Sequence, residues 1–219
     1  MMVEPIVITA QLKTPLVLTG GYMTFDAILA AILFDQLQDV DTAHAAVPVK
    51  NTAGLFHASA AVIEPMDTGR VSFVANLRAD HALSPDLIAR GRTGARLHTA
   101  LGRARRREFG AVMNNYQTIT AASVTWYAEA DAEAVRALLA NVHFIGKRRA
   151  SGFGEVAEWQ IEPGDSDGIT GPFGEPLRPV PAAMFKGDTS HPLIDAAWRP
   201  AYWHPAHRAA CYAPPGLGG

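Results

Sequence analysis

Residues His143 to Val156 read HFIGKRRASGFGEV, and the architecture follows from how this stretch is placed. An apolar approach (Val142, Phe144, Ile145) enters Gly146, then the cations Lys147, Arg148 and Arg149, then Ser151, and finally Gly152-Phe153-Gly154. Two glycines around one aromatic permit backbone dihedrals that a side chain forbids, and a close approach to a ligand. Three adjacent cations put positive charge at the same spot, which suits a phosphate backbone. Neither Walker spacing nor a dinucleotide GxGxxG is present, so a nucleotide-cofactor loop is not the natural reading. A solvated basic hairpin turn fits the spacing equally well, and the loop alone leaves both readings open.

Working outward, Asp131 is a candidate N-cap for a short helix from Ala132 to Asn141, with Val135, Leu138 and Leu139 as its packing face. A strand from Glu155 to Ile161 follows the loop. Near the N-terminus, Pro5 to Leu12 (PIVITAQL) alternates as a strand. Thr24 can cap a helix whose wide apolar face is Phe25, Ile28, Leu29, Ile32 and Leu33, running to about Leu37. Phe56 to Ile63 and Arg70 to Leu77 read as two strands joined by residues 64–69 as a hairpin loop. Thr118 to Tyr127 returns to strand character. The order is close to β-α-β-β-α-β, an α+β, ferredoxin-like (RRM-like) unit in which two helices cover one sheet face and leave the other free for a ligand.

Residues 80–118 interrupt that unit as an inserted arm, leaving residues 1–79 and 119–162 as the body. Ser84-Pro85-Asp86 is a helix start. From Ile88 to Phe109 the chain carries Arg90, Arg92, Arg96, Arg103, Arg105, Arg106 and Arg107 against one acid, Glu108. At 3.6 residues per turn Arg92, Arg96, Arg103 and Arg107 share a helical face. Four glycines interrupt the arm, and a like-charged segment broken in this way can fold on binding. Guanidinium forks without lysine favour a ligand with planar or forked acceptors, and phosphate is one. Residues 163–219, dense in proline and glycine, are expected to be irregular. Within them Trp198, Tyr202, Trp203 and Tyr212 are expected to anchor the segment to the body.

Composition narrows the function classes. The 219 residues carry 21 acids against 19 lysines and arginines, so any nucleic-acid footprint must lie in charge distribution rather than net charge. One cysteine, Cys211, excludes an internal disulfide framework. No stretch is long and apolar enough for a bilayer, and the chain is expected to be cytoplasmic. His204, His207, Cys211 and His191 are metal-ligand types, but structural zinc generally uses paired short spacings with several cysteines, so no metal is assigned. Glu64, Asp67 and Asp80 show no paired-carboxylate pattern, and no GxSxG elbow or cysteine–histidine dyad is present. Asp26 suits helix-dipole stabilisation as well as a site. His57 and His143 sit in strand contexts. His81 and His98 on the arm are positioned to serve as a general base on a ribose hydroxyl, but no spacing ties either to a partner. Phe109 and Tyr116 border the arm, as stacking or core residues. No catalytic residue and no cofactor is assigned.

The run from Val142 to Val156 resembles the late glycine-rich loop of the CRISPR-associated RAMP superfamily, in which a G-basic-G-aromatic-G loop closes a ferredoxin-like palm. Pro15-Leu16-Val17-Leu18 through Thr24-Phe25-Asp26-Ala27-Ile28-Leu29 also resembles these proteins. With the inserted arm, the chain is most similar to the small subunit that caps the 5′ handle in type IV effector complexes. The resemblance covers residues 1–162; the tail has no counterpart in it. It implies a non-catalytic subunit that binds the 5′ handle of the guide RNA (crRNA) and anchors a filament of backbone subunits beside a large subunit, meeting target nucleic acid only indirectly. Gly146, Lys147, Arg148, Arg149, Ser151, Gly152 and Gly154 would contact or shape the RNA site. The arm would stand where relatives have a thumb, often a β-hairpin, whereas this arginine-rich arm reads as helical. That Arg92, Arg96, Arg103, Arg105, Arg106 and Arg107 bind RNA is inferred from charge alone. A metal-independent crRNA-processing endoribonuclease on the same palm, using His81, His98 or Tyr116, is the alternative. A ferredoxin-like protein-interaction module is the third reading.

Overall fold

The computed structural model describes residues 2–75 and 112–214. In chain order the elements are β1 (Glu4–Leu12), β2 (Leu16–Leu18), α1 (Phe25–Leu37), α2 (Val40–Ala45), β3 (Asn51–Thr52), β4 (Leu55–Phe56), β5 (Val62–Ile63), β6 (Asp67–Ala75), β7 (Val112–Thr120), β8 (Ser123–Ala130), α3 (Ala132–Leu139), β9 (Val156–Pro163), β10 (Val180–Pro181), β11 (Leu193–Ala197) and β12 (Arg208–Tyr212). The class is α+β, with antiparallel sheets and few helices. The chain divides into two compact units, residues 1–69 with 117–219, and residues 70–116.

The first unit is built on a four-stranded antiparallel sheet in the order β5-β8-β1-β9. Period-two alternation decides its faces: Ile6, Ile8 and Ala10 on β1 and Val124, Trp126, Ala128 and Ala130 on β8 are buried, while the residues between them are not. The buried face packs against Phe25, Leu29 and Leu33 of α1 and Val135 and Leu139 of α3. Trp126 is the keystone, fully buried, 5.8 Å from the Phe25 ring and 5.9 Å from Trp159, with its indole N–H donated to the Met23 carbonyl at 3.0 Å. Such a side chain contributes roughly 3 kcal/mol or more through burial, provided its one polar atom is satisfied.

Local signals set the helix ends. Asp131 caps α3 by accepting from the Ala134 amide at 3.1 Å, as its position predicts, and Asp39 caps α2 in the same way from Thr42. Thr24 has the extended backbone of an N-cap, but its side chain makes no cap bond. Gln38 ends α1 in the left-handed region (φ 56°).

Three expectations are corrected. Residues 64–69 are not a hairpin loop: Val62 and Ile63 pair with Thr125 and Val124 of β8, whereas Asp67–Ala75 belongs to another sheet, ordered β2-β7-β6. Pro65 cannot donate to a ladder, so pairing stops there, and Met66 N–H begins the next sheet at the Thr120 carbonyl (2.8 Å). Second, residues 112–118 of the arm, which is expected to be helical, are strand; exposure alternates along β7 from Met113 to Thr118, the signature of period two. Third, the tail is not irregular. It folds into an antiparallel sheet ordered β10-β12-β11, because its prolines and glycines lie outside LIDAA and RAACY, the two five-residue runs that pair. Leu55, Val180 and Phe185 form a second core, onto which Trp198 and Tyr212 pack.

In the second unit Ser72 donates to Asn115 at 2.6 Å across the β6 and β7 strands, and Phe73 meets Tyr116 edge-on at 6.0 Å. His81, His98, Phe109 and the arginines Arg92, Arg96, Arg103, Arg105, Arg106 and Arg107 lie outside the described residues. No helix among the described residues is long and apolar enough to cross a membrane.

Candidate nucleic-acid interface

The glycine loop rises from a narrow neck. Phe144 bridges Glu155, Ile145 N–H donates to the Gly154 carbonyl at 2.9 Å, and Val156 N–H to the His143 carbonyl at 2.8 Å. Beyond the neck the loop is stitched to the strand at Leu16–Leu18, with Lys147 N–H on the Val17 carbonyl and Gly154 N–H on the Pro15 carbonyl, both at 2.9 Å. This stitching explains two of the glycines. A Cβ on Gly146 (φ +76°) would lie 2.6 Å from Leu16 Cδ1, and one on Gly154 (φ +70°) 2.0 Å from the Ile145 carbonyl oxygen. The close approach foreseen for a ligand is made by the chain itself. Gly152 differs: it is left-handed (φ +84°) with open space around it, and it ends the 3₁₀ turn Arg149–Ser151.

That turn aims the cations. Arg148 takes a left-handed conformation (φ 61°), and its carbonyl receives Ser151 N–H at 2.8 Å. The amides of Lys147, Ser151, Gly152 and Gly154 are thus bonded within the protein, and side chains are what the loop offers a ligand. Lys147 and Arg149 are exposed and make no ion pair with a described residue; Arg148 is half-buried. Ser151 is exposed on the same turn. Lys147 and Arg149 also line a groove of about 330 Å³, walled by Ala27, Ile28, Ala31 and Ile32 of α1 and by Phe144 of the neck, with Asp35 its one acid. An apolar trough edged by exposed cations suits a base and its phosphate.

The free face of the four-stranded sheet is a poor place for phosphate. It presents Thr9, Gln11, Thr125, Gln160, Glu158 and Glu162, held by Gln11–Gln160 and Thr9–Thr125 hydrogen bonds. None of its four strands contains a lysine or arginine. By charge, the loop suits a phosphate better than the strands of the sheet do.

Other candidates have other roles. Asp26 is fully buried in a network that sequence reasoning missed. Arg178, also fully buried, donates through Nη1 to Asp26 Oδ1 (3.0 Å) and the carbonyls of Phe56 (2.7 Å) and Ala58 (2.9 Å), and through Nη2 to the Trp198 carbonyl (3.0 Å) and Tyr202 Oη (2.7 Å). Tyr202 in turn donates to Asp26 Oδ2. Burial opposes the guanidinium charge, but Asp26 and Tyr202 outweigh it and raise the pKa of Arg178. The tyrosine hydroxyl is pushed up, chiefly by burial. No local pattern in the proline-flanked segment around Arg178 announces such a residue.

His57 is packed, with Nδ1 2.7 Å from Glu129 and Nε2 2.9 Å from the Thr52 hydroxyl; Lys50 reaches the same carboxylate at 2.7 Å. Burial first, and Lys50 second, hold its pKa below the usual histidine value, against the pull of Glu129. Tyr116 packs on Phe73, and His143 is exposed at the loop neck. Among the described residues no cluster of histidine, cysteine or acids is placed to hold a metal. Of the four tail aromatics, Trp198, Tyr202 and Tyr212 serve as anchors, but Trp203 does not: it is 77% exposed, its neighbour Tyr202 having taken the inward direction.

Against known proteins, the model of one family, described as CRISPR type IV associated protein Csf3, matches residues 74–214. The match takes in the glycine loop and continues through the tail, which the resemblance in sequence left unplaced. No curated protein matches the chain.

Proposed function

We infer the function from one premise: the chain belongs to the CRISPR type IV associated Csf3 family and is a subunit of a type IV CRISPR complex. Within that complex it acts as a non-catalytic guide-RNA-binding subunit of RAMP type. It caps the 5′ handle of the crRNA and anchors the filament of backbone subunits beside the large subunit. The observation that carries this reading is the loop at 146–154, which holds Lys147 and Arg149 exposed, without an ion pair to any described residue, beside an apolar groove. None of the four strands of the sheet, by contrast, contains a lysine or arginine. Lys147, Arg148 and Arg149 bind phosphates, Ser151 adds a hydroxyl, and Gly146, Gly152 and Gly154 shape the loop that presents them. The sheet order β5-β8-β1-β9, with α1 following β1 and α3 preceding β9, supports a ferredoxin-like palm made of residues 1–79 and 119–162. Residues 80–118 form the thumb, and Arg92, Arg96, Arg103, Arg105, Arg106 and Arg107 bind further phosphates from it.

The test is to incubate the full chain, in EDTA, with labelled repeat RNA, and to resolve binding and cleavage together. Intact RNA, bound with strong salt dependence, is the expected result. Replacing Lys147 and Arg149 by alanine should weaken binding and lower the log–log salt slope by about 0.7 for each phosphate left without its cation. Metal-independent cleavage at one position would overturn the reading and make the protein a processing nuclease. Binding that ignores salt and the loop variants would place the RNA elsewhere.

A further inference from the structure

Exposed tryptophan is unusual, because the indole gains more from burial than almost any other side chain. Trp203 is 77% exposed, whereas Trp126 is fully buried and Trp159 and Trp198 are half-buried. Its surroundings are as distinctive as its exposure. The His204 ring lies 5.8 Å away at 60°, and the His207 ring lies 4.9 Å from His204 at 39°. Hydrogen bonds fix both imidazoles. His204 Nδ1 accepts from the Ala206 amide at 3.2 Å; His207 Nδ1 lies 3.2 Å from the Ala201 carbonyl, which can only accept, so this nitrogen carries the proton. The segment is held in place from below by Tyr202 on Asp26 and Arg178.

Charge decides what such a platform fits. Residues 198–208 (WRPAYWHPAHR) contain two arginines and two histidines and no carboxylate. Arg208 is paired with Asp195 at 2.7 Å, and so is neutralised. Arg199 has no ion pair with a described residue: its guanidinium lies 5.1 Å from the Trp198 ring, and its Nε is buried without a partner. A protein hot spot built on tryptophan needs only a matching pocket, whereas an aromatic segment whose own charged side chains are all cationic also favours a polyanion.

We propose that Trp203, with His204 and His207 beside it, is a second nucleic-acid binding site of this protein, a platform on which an unpaired base of single-stranded RNA stacks. It is separate from the glycine loop and reads no sequence, since every base has a π-face. Its place on a segment pinned by buried bonds keeps the ordering cost of binding low.

The experiment uses the full chain and a single-stranded oligoadenylate 15-mer that carries no repeat sequence. Removing the stack in Trp203→Ala should weaken binding roughly 5- to 100-fold, while Trp203→Phe keeps most of the affinity. Ultraviolet crosslinking of 4-thiouridine-substituted RNA should attach to the peptide holding residue 203. The thermal midpoint of Trp203→Ala should stay at the wild-type value, which separates impaired stacking from impaired folding. Unchanged affinity in Trp203→Ala, or no binding of the 15-mer by the wild-type chain, overturns the proposal. So does a variant that binds RNA normally but no longer co-purifies with its complex, because Trp203 is then part of a protein interface. The loop variants Lys147→Ala and Arg149→Ala, run in parallel, report on the glycine loop alone, so that failure of either site is seen separately.

Discussion

Arg178→Met should be among the most damaging single substitutions in the described chain. The guanidinium is fully buried and makes five hydrogen bonds, to Asp26, Tyr202 and three backbone carbonyls. Methionine fills much of the same volume, so packing changes little. What remains is a buried Asp26 carboxylate whose single remaining donor is Tyr202, with the Phe56, Ala58 and Trp198 carbonyls deprived of Arg178. Breaking a buried pair from one side costs about 3–5 kcal/mol, a large part of the roughly 5–15 kcal/mol that holds a domain folded. Tyr202→Phe removes one hydroxyl between two charges and should cost about 1–3 kcal/mol. Urea unfolding followed by far-UV circular dichroism measures each. The decisive comparison is Asp26→Leu with Arg178→Met, which removes both charges together. The double variant should be markedly more stable than the sum of the two single effects predicts, because no unpaired charge is left behind. Additive effects, or a cost under about 1 kcal/mol for Arg178→Met, would refute the claim that Arg178 and Asp26 are a mutually dependent buried pair.

Two loop glycines should separate in the same assay. Gly154→Ala is left-handed and drives its Cβ to 2.0 Å from the Ile145 carbonyl, so it should cost well over the roughly 1–2 kcal/mol expected of Gly152→Ala, which is left-handed in open space. His57 should make stability fall in acid. Its pKa is lowered on folding, so the unfolded chain binds the proton more readily; its contribution is complete above about 6.5 and is lost as pH drops below that. His57→Gln should flatten the stability profile over pH 5–7 by up to about 1.4 kcal/mol per unit at its steepest. Cys211 is buried, with its thiol pushed up to about 11, chiefly by burial. A disulfide reagent at pH 8 should leave it unmodified in the native protein and label it fully in urea; rapid native labelling would contradict its placement.

What was legible in the sequence was local. Asp131 three residues before the amide it caps, the alternation of PIVITAQL, and the apolar face from Phe25 to Leu33 each encode structure within one or two turns of chain, and each formed as read. The glycine loop was legible as a unit because its seven candidate residues lie within nine positions of each other. The reason for two of its glycines was not, since the atoms that exclude a side chain there come from Leu16 and Val17, and from the carbonyl of Ile145 across the neck. Strand partners were likewise hidden: the hydropathy of residues 62–75 reads as a hairpin, and only pairing with β8 and β7 splits it between two sheets. Proline and glycine density concealed a three-stranded sheet in the tail. The sequence by itself determined the class, the helices α1 and α3 and the cationic loop, but not α2 in the polar segment after Leu37, because capping and periodicity act over a few residues. Only the tertiary structure decided that Arg178 meets Asp26 across 152 positions, that Tyr202 turns inward and Trp203 outward, and that four strands without a lysine or arginine come together in one sheet. Those outcomes depend on which distant groups must satisfy each other once water is excluded, and no local pattern records that.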